Sequence, residues 1–481
     1  MAIAANAREY RVTHRSAAIA ALPEAITTSI AASGCLGCVW LLVPGKGAAV
    51  LAVVLCLSLS RSQLDRNRRE RLEAAVVLPL VGIAATGIGL LLHRTPWFGA
   101  AAFVCGMFVS IWLRRFGATA RRVGRLLALP FVVLLVTPHL PASQPSLLPR
   151  WLLPILIALL ALLWVSALHA LARRTGFLAP PRIREFAGAE SARASSLRPI
   201  ASTRMAIQMA AALALSFTAG FAFFSERWAW IVLTAFIVLS GNRGRLDVAY
   251  KSVQRVLGAA AGTVFALLVS PLAAAHGSTA AVLMLVAVFM GVWLRPLNYA
   301  WWALFATIAL ALLQGFGNVP PARILPLRME EIVIGAAIGV ACAWWLLPVR
   351  STDVLRRRLA DALAALAAAL GQPRDARSPE PFTEALMQLE QMAPPFRALR
   401  RFSRSQSLQP SAWVDTLLAG REDALALIES GTAPGEVRRT LGRARQALRE
   451  PAALLPALLE LKETLARQAP TLQTEEPIEA D

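Results

Sequence analysis

Apolar residues gather in long runs at about 23–43, 47–60, 73–92, 97–113, 124–138, 151–171, 205–223, 228–240, 256–274, 279–294, 299–316 and 329–348. A helix needs about 20 apolar residues to cross the hydrocarbon of a bilayer, with about 17–25 as the working range. The pattern therefore predicts an all-α polytopic membrane protein with about twelve membrane segments. The second run, 47–60, and its counterpart 228–240 are short for a full span and read as half-membrane or tilted hairpin arms. After Pro348 the composition changes. Thr352 and Asp353 fit a helix cap, with helical spacing through Leu370 and Gly371 as the stop. Further helical stretches are predicted at about 379–403, 411–430, 434–449 and 451–468, followed by an acidic end, Pro470–Asp481, that reads as disordered.

Loop charge orients the segments. With the N-terminus inside, 25 basic residues fall on the cytoplasmic side and 6 (Lys46, Arg94, Arg150, Arg227, Arg323 and Arg328) on the other. Such a bias is what topology-setting loop charge produces, and it places both termini in the cytoplasm. The chain also repeats itself: Val109-Ser-Ile-Trp112-Leu-Arg114 recurs as Met290-Gly-Val-Trp293-Leu-Arg295, and Leu64-Asp65 as Leu246-Asp247. Trp164 falls opposite Trp345 in nearly the same register. An even number of helices per half makes both halves enter from one side, so the repeat is expected to be parallel. The resulting organisation is a cytoplasmic N-terminus at 1–22, a six-helix repeat at 23–171, a cytoplasmic linker at 172–204, a second six-helix repeat at 205–348, a C-terminal cytoplasmic helical bundle at 349–469 and the tail 470–481.

Composition agrees with this class and narrows the partners. The chain is 57% hydrophobic and only 16% charged, with a mean hydropathy of +0.56, so the lipid bilayer is its solvent. A net charge of +20 first suggests nucleic acid. From Arg350 onward, however, 18 basic residues balance 18 acidic ones, and the whole excess lies in loops beside apolar runs. Loop topology accounts for it, and no nucleic-acid partner is expected. The five cysteines lie in apolar runs and imply no disulfide framework. There is no Gly-x4-Gly-Lys-Ser/Thr, His-Glu-x-x-His or Gly-x-Ser-x-Gly, and the five histidines are scattered singly. No catalytic residue, metal site or cofactor is expected.

The stretch from Glu226 to Thr263 carries most information. A short Trp-rich helix (Trp228, Trp230) ends in a polar turn, Ser240-Gly-Asn-Arg243-Gly-Arg245-Leu-Asp247, and a helix then opens with Arg255-x-x-Gly258-x-x-x-Gly262-Thr263. On these residues the chain resembles the fusaric-acid-resistance (FUSC) superfamily, which includes aromatic acid exporters and plant malate channels. The resemblance covers about 205–348 well and the first half weakly, where Ala74 and Leu78 replace the two glycines. It implies an inner-membrane secondary transporter that exports small organic carboxylates, aromatic ones among them, by proton coupling; a passive organic-anion channel and a non-transporting membrane scaffold are the alternative readings. It also implies a periplasmic adaptor protein and a homodimer as partners.

Arg243, Arg245 and Arg255 suit attraction of an organic anion, with Asp247 shaping the turn, although topology or headgroup contact serves the same charges. Trp230 and Trp293, with Arg295 beside the latter, offer rings for an aromatic substrate or an interfacial belt. Glu226, Glu330 and Glu331 are the carboxylates placed to couple transport to protons, unless they face water at a helix end. Gly258 and Gly262 read first as helix packing.

Overall fold

In hydrocarbon a backbone has no water to bond, so every spanning N–H and C=O must be satisfied within its own segment. The computed structural model obeys this: among the described residues it is helical throughout, with no strand. The structure describes all residues except 1, 43–45, 64–67, 137–151, 179–200, 225–226, 276, 316–320, 374–375, 401–408, 431–433 and 470–481. The predicted tail 470–481, most of the linker, Leu64, Asp65 and Glu226 lie outside the described residues.

A helix covers each apolar run. These are α1 (Ala2–Leu42), α2 (Lys46–Gln63), α3 (Arg68–Arg94), α4 (Pro96–Trp112), α5 (Ala118–Val136) and α6 (Leu152–Arg174), then α7 (Ala201–Phe223), α8 (Trp228–Leu239), α9 (Arg245–Ala275), α10 (Gly277–Leu294), α11 (Tyr299–Gly315) and α12 (Pro321–Trp345). Six of them are long and apolar enough to cross a membrane. Their outward faces carry bare aliphatic side chains, with Leu163 63% and Leu268 68% exposed. A water-soluble surface would not tolerate so many, and lipid does. The chain is a multi-pass membrane protein.

Two helices extend beyond the predicted runs in ways that matter. α9 starts at Arg245 and α12 at Pro321, which places Arg255 and Arg328 inside helices instead of at their mouths. α8 is short, 12 residues or about 18 Å at 1.5 Å per residue, against a hydrocarbon thickness of about 30 Å. Ten of its residues are buried, from Trp228 to Leu239. A helix apolar on every side is stable only when enclosed by others.

Two compact units divide the chain: Met1–Gly241 with Lys251–Pro348, and Asn242–Tyr250 with Val349–Asp481. Within the first, α2 packs on α1 and α6, and α8 packs on α7 and α12. Other contacts join early helices to late ones. α4 meets α7 through Phe103 on Phe217, 5.5 Å between ring centroids, and Trp97 on Phe221, 5.2 Å. α1 meets α10, where the Trp293 indole N–H donates to the carbonyl of Ala18 at 2.9 Å.

Close approach depends on small residues. A Cβ at Gly335 of α12 would lie 2.5 Å from the Ile231 carbonyl oxygen of α8 and 2.9 Å from the Thr234 Cβ. One turn on, Gly339 faces Val238. The same arrangement holds α9 to α11: Gly262 has room for no Cβ against the Leu304 carbonyl, 2.5 Å away, and Gly258 sits equally tight on Ala300 and Ala303.

The second unit contains α13 (Ser351–Gly371), α14 (Glu380–Glu390), α15 (Ala393–Arg400), α16 (Pro410–Ala419), α17 (Arg421–Ser430), α18 (Gly435–Ala447) and α19 (Pro451–Gln468). Leu355, Leu359, Leu363, Leu366 and Leu370 line one face of α13 and pack with Phe382, Leu386, Trp413, Leu427, Leu458 and Leu461. The stretch predicted at 379–403 holds two helices, with a turn at Gln391 and Met392 just before Pro394 and Pro395, which supply no N–H to a continuing helix. Gly420, a poor helix former, divides the stretch predicted at 411–430 in the same way.

Because the neighbours of Gly335 are backbone and a Cβ, they have no flexible end to move aside. Gly335→Val should lower stability by about 1–3 kcal/mol, the usual cost of overpacking. Gly87→Ala, with nothing within 4 Å of its Cβ, should not lower it. Thermal unfolding of the detergent-solubilised protein separates the two.

Candidate functional site

Arg328, Glu331, Gly335 and Gly339 recur at intervals of three and four residues, so they share one face of α12. The two glycines bring that face against α8, and the same packing carries the two charged residues into the interior. Arg328 is 2% exposed and Glu331 1%. The Arg328 guanidinium lies flat over Trp230, 3.8 Å from the ring centroid. None of its three nitrogens has a hydrogen-bond partner among the described residues.

The magnitudes decide what this means. Removing a guanidinium from water costs several kcal/mol even after relaxation. A desolvated cation–π contact returns about 2 kcal/mol. Glu331 is close enough for its charge to act on Arg328, but its Oε1 is 3.3 Å from Nε of Arg227, a half-exposed side chain at the start of α8. Arg255 of α9, 3% exposed and also near enough to act on Arg328, adds a second positive charge. Its Nε, the Thr234 hydroxyl on α8 and the Thr263 hydroxyl on α9 likewise have no partner among the described residues. Positive charge in the cluster thus exceeds the one carboxylate present, Glu331, whose Oε1 has no hydrogen-bond partner among the described residues either. Such an arrangement is chemically suited to an anion, with the Trp230 ring beside Arg328.

The structure distributes the described sequence candidates over five places. Trp230, Arg255 and Glu331 belong to the buried cluster just described. Glu330, next to Glu331 in sequence, points outward and is exposed. Trp293 and Arg295 sit at the end of α10, the first bonded to Ala18 and the second stacked over Trp302 with its guanidinium 5.0 Å from the ring centroid. Gly258 and Gly262 pack against α11. Beside the cluster, an apolar groove of about 690 Å³ runs between α9 and α12, lined by Val256, Leu257, Ala336, Val340 and Trp344.

Arg243, Arg245 and Asp247 fold with the second unit. The Arg243 guanidinium donates to the backbone oxygen and Oε1 of Gln391 at 2.6 and 2.7 Å, and its backbone N–H donates to Asp247 Oδ2 at 3.0 Å. The Arg245 N–H donates to the Val349 carbonyl at 3.0 Å, and the Leu246 N–H to Ser351 Oγ at 2.9 Å. Between them Gly244 adopts φ +121°, with its Cβ position 2.6 Å from Ser351 Oγ. These bonds hold residues 243–247 within the second unit.

Arg328 and Thr234 are the residues that sequence reasoning passed over; Thr263 entered it only as the end of the Arg255–Thr263 pattern. Arg328 looked like loop charge because the apolar run of α12 begins one residue later. Its signal is the Arg-x-x-Glu pair on the same helical face as Gly335 and Gly339.

Gly244→Ala forces an L residue into a left-handed conformation, which costs about 1–3 kcal/mol. It should lower the unfolding midpoint of the full-length protein, whereas Gly435→Ala, with open space at its Cβ, should leave it unchanged.

No curated protein matches the chain. Residues 209–342, from within α7 to near the end of α12, match the family model described as fusaric acid resistance protein-like. That segment contains the glycine-packed α8–α12 pair and the buried arginines, and in it this multi-pass membrane protein is similar to the fusaric acid resistance proteins.

Proposed function

We propose that the protein is an inner-membrane secondary transporter that exports small organic carboxylates, aromatic ones among them, driven by the proton gradient. The observation that carries this reading is the buried, unpartnered Arg328 on the face of Trp230. A carboxylate bound there would meet the guanidinium through charge-assisted hydrogen bonds, and an attached ring would find an apolar, aromatic surround. Arg255 adds to the field that draws the anion in. Glu331 competes for the same positive charge, so protonating it on one side of the membrane strengthens anion binding and deprotonating it on the other favours release.

The architecture proposed for this work is twelve segments in two parallel six-helix repeats, related by an axis along the membrane normal, with both termini and the helical bundle in the cytoplasm. Support comes from the helix pairings: α1 with α10 mirrors α7 with α4, and α2 on α1 and α6 mirrors α8 on α7 and α12. The short α2 and α8 occupy matching positions, where paired short segments point to a substrate site. A periplasmic adaptor and a homodimer are further partners of this proposal.

Proteoliposomes loaded with labelled benzoate test it. Losing a charge-assisted hydrogen bond costs about 1.5–3 kcal/mol, so Arg328→Gln should cut exchange of labelled for unlabelled benzoate by about 10- to 100-fold, with Arg328→Lys between it and wild type. Glu331→Gln should weaken the response to a pH gradient. Unchanged exchange in Arg328→Gln would overturn the site. Flux that follows membrane potential and ignores the pH gradient would indicate a passive anion channel instead.

A further inference from the structure

A second buried polar cluster lies in the other half of the membrane unit, where nothing in the anion site requires it. Thr28 of α1, Ser60 of α2 and His169 of α6 are 2%, 0% and 0% exposed. Thr28 Oγ1 is 2.5 Å from Ser60 Oγ, Ser60 Oγ is 3.0 Å from His169 Nε2, and His169 Nδ1 is 2.9 Å from the Val165 carbonyl oxygen. They sit in a core of small and aliphatic side chains, among them Ala31, Ala52, Leu59, Ala161 and Val165.

Chemistry fixes the direction of this chain in the neutral state. A carbonyl only accepts, so Nδ1 carries the ring proton and Nε2 is the acceptor. The Ser60 hydroxyl then donates to Nε2, which leaves Thr28 to donate to Ser60. This tautomer is assigned from the network. Ser60 is therefore both acceptor and donor, and Thr28 donates to it with its own oxygen lone pairs able to take a further proton, the arrangement that lets a proton pass by one-bond hops.

The cluster is unusual within this protein. Many other helical hydroxyls return to a carbonyl three or four residues back, as Ser110 does to Met107, Thr218 to Ala214 and Thr307 to Ala303. Thr28 and Ser60 instead reach between helices toward a fully buried ionisable ring, and an ionisable residue enclosed within a membrane helix bundle is a functional-site candidate.

We propose that Thr28, Ser60 and His169 form a proton-relay site that takes up and releases protons during transport; this rests on the proton-coupled reading above. A proton arriving from the aqueous phase binds Thr28 Oγ1 as the Thr28 proton passes to Ser60 and the Ser60 proton to His169 Nε2. The ring becomes an imidazolium held through Nδ1–H by Val165. Reversal of the same hops releases the proton, and no other bond changes. Glu24, half-buried, lies one turn before Thr28 on α1. The other titratable side chains described on the helices packed around α6 are Cys35 and Cys38 on α1, Cys56 on α2, and Glu73, His93 and Arg94 on α3. On α6 itself Arg173 donates from Nε to the His169 carbonyl at 3.1 Å, and Arg174 follows.

The test compares wild type with His169→Gln and Ser60→Ala in benzoate-loaded proteoliposomes. Two rates are read: export driven by a pH gradient, and gradient-free exchange. The ratio of the first to the second should fall by roughly 100-fold in His169→Gln, the lower end of what a positioned proton carrier contributes, and substantially in Ser60→Ala. Substrate-dependent proton movement, followed with a pH-sensitive dye, should fall with it. A ratio unchanged from wild type in either folded variant overturns the relay. Loss of both rates together in folded His169→Gln also overturns it, because that marks a structural brace. If wild type itself exchanges benzoate without any response to the gradient, the coupled reading fails and the relay with it; if wild type responds and His169→Gln responds equally, the relay alone fails.

Discussion

Helices in hydrocarbon gain nothing from hiding apolar surface from one another, since lipid tails are as apolar as leucine, so their association depends on how closely their backbones approach. In this protein that constraint is met by glycine. Gly335 and Gly339 let α12 lie directly on α8, and Gly258 and Gly262 do the same for α9 on α11. Larger residues at these points would hold the helices apart and open the interior around Trp230. The enclosed position of α8, too short to span the hydrocarbon alone, follows from the same contacts.

That packing has an electrostatic consequence. The face of α12 that the glycines press against α8 also carries Arg328 and Glu331, so forming the contact drives two charges out of water. One is met by Arg227; the other rests on an aromatic ring that offsets only part of its desolvation. A fold that keeps such a residue accepts lower stability for something the residue does, and a positive group beside an aromatic face suits an organic anion. The polar cluster of the first half is of a different kind, fully bonded and uncharged in its neutral form.

Much of the fold was legible in the sequence because hydropathy and the physics of the bilayer act on the same residues: one helix takes up most of each apolar run, and the shortness of α8 is visible in its composition. The site was legible only in part. Trp230, Arg255 and Glu331 stood out by type and place. Arg328 did not, because a one-dimensional reading cannot tell a loop arginine from one in the first turns of a helix that starts before its apolar run. Arg243 and Asp247 stood out by charge, and the sequence does not show that they bond to Gln391 and a neighbouring backbone N–H within the second unit. Glu330 and Glu331 are adjacent in sequence and opposite in environment, a distinction set by helical phase against α8.

The central claim is that Arg328 binds a carboxylate by its charge. Its most direct test is the thermal stabilisation of purified wild-type and Arg328→Ala protein by benzoate and by benzamide, its neutral isostere, at equal concentration. The account predicts that benzoate raises the wild-type melting temperature, that benzamide does not, and that Arg328→Ala responds to neither. Equal stabilisation by acid and amide, or a benzoate shift that survives in Arg328→Ala, would contradict it.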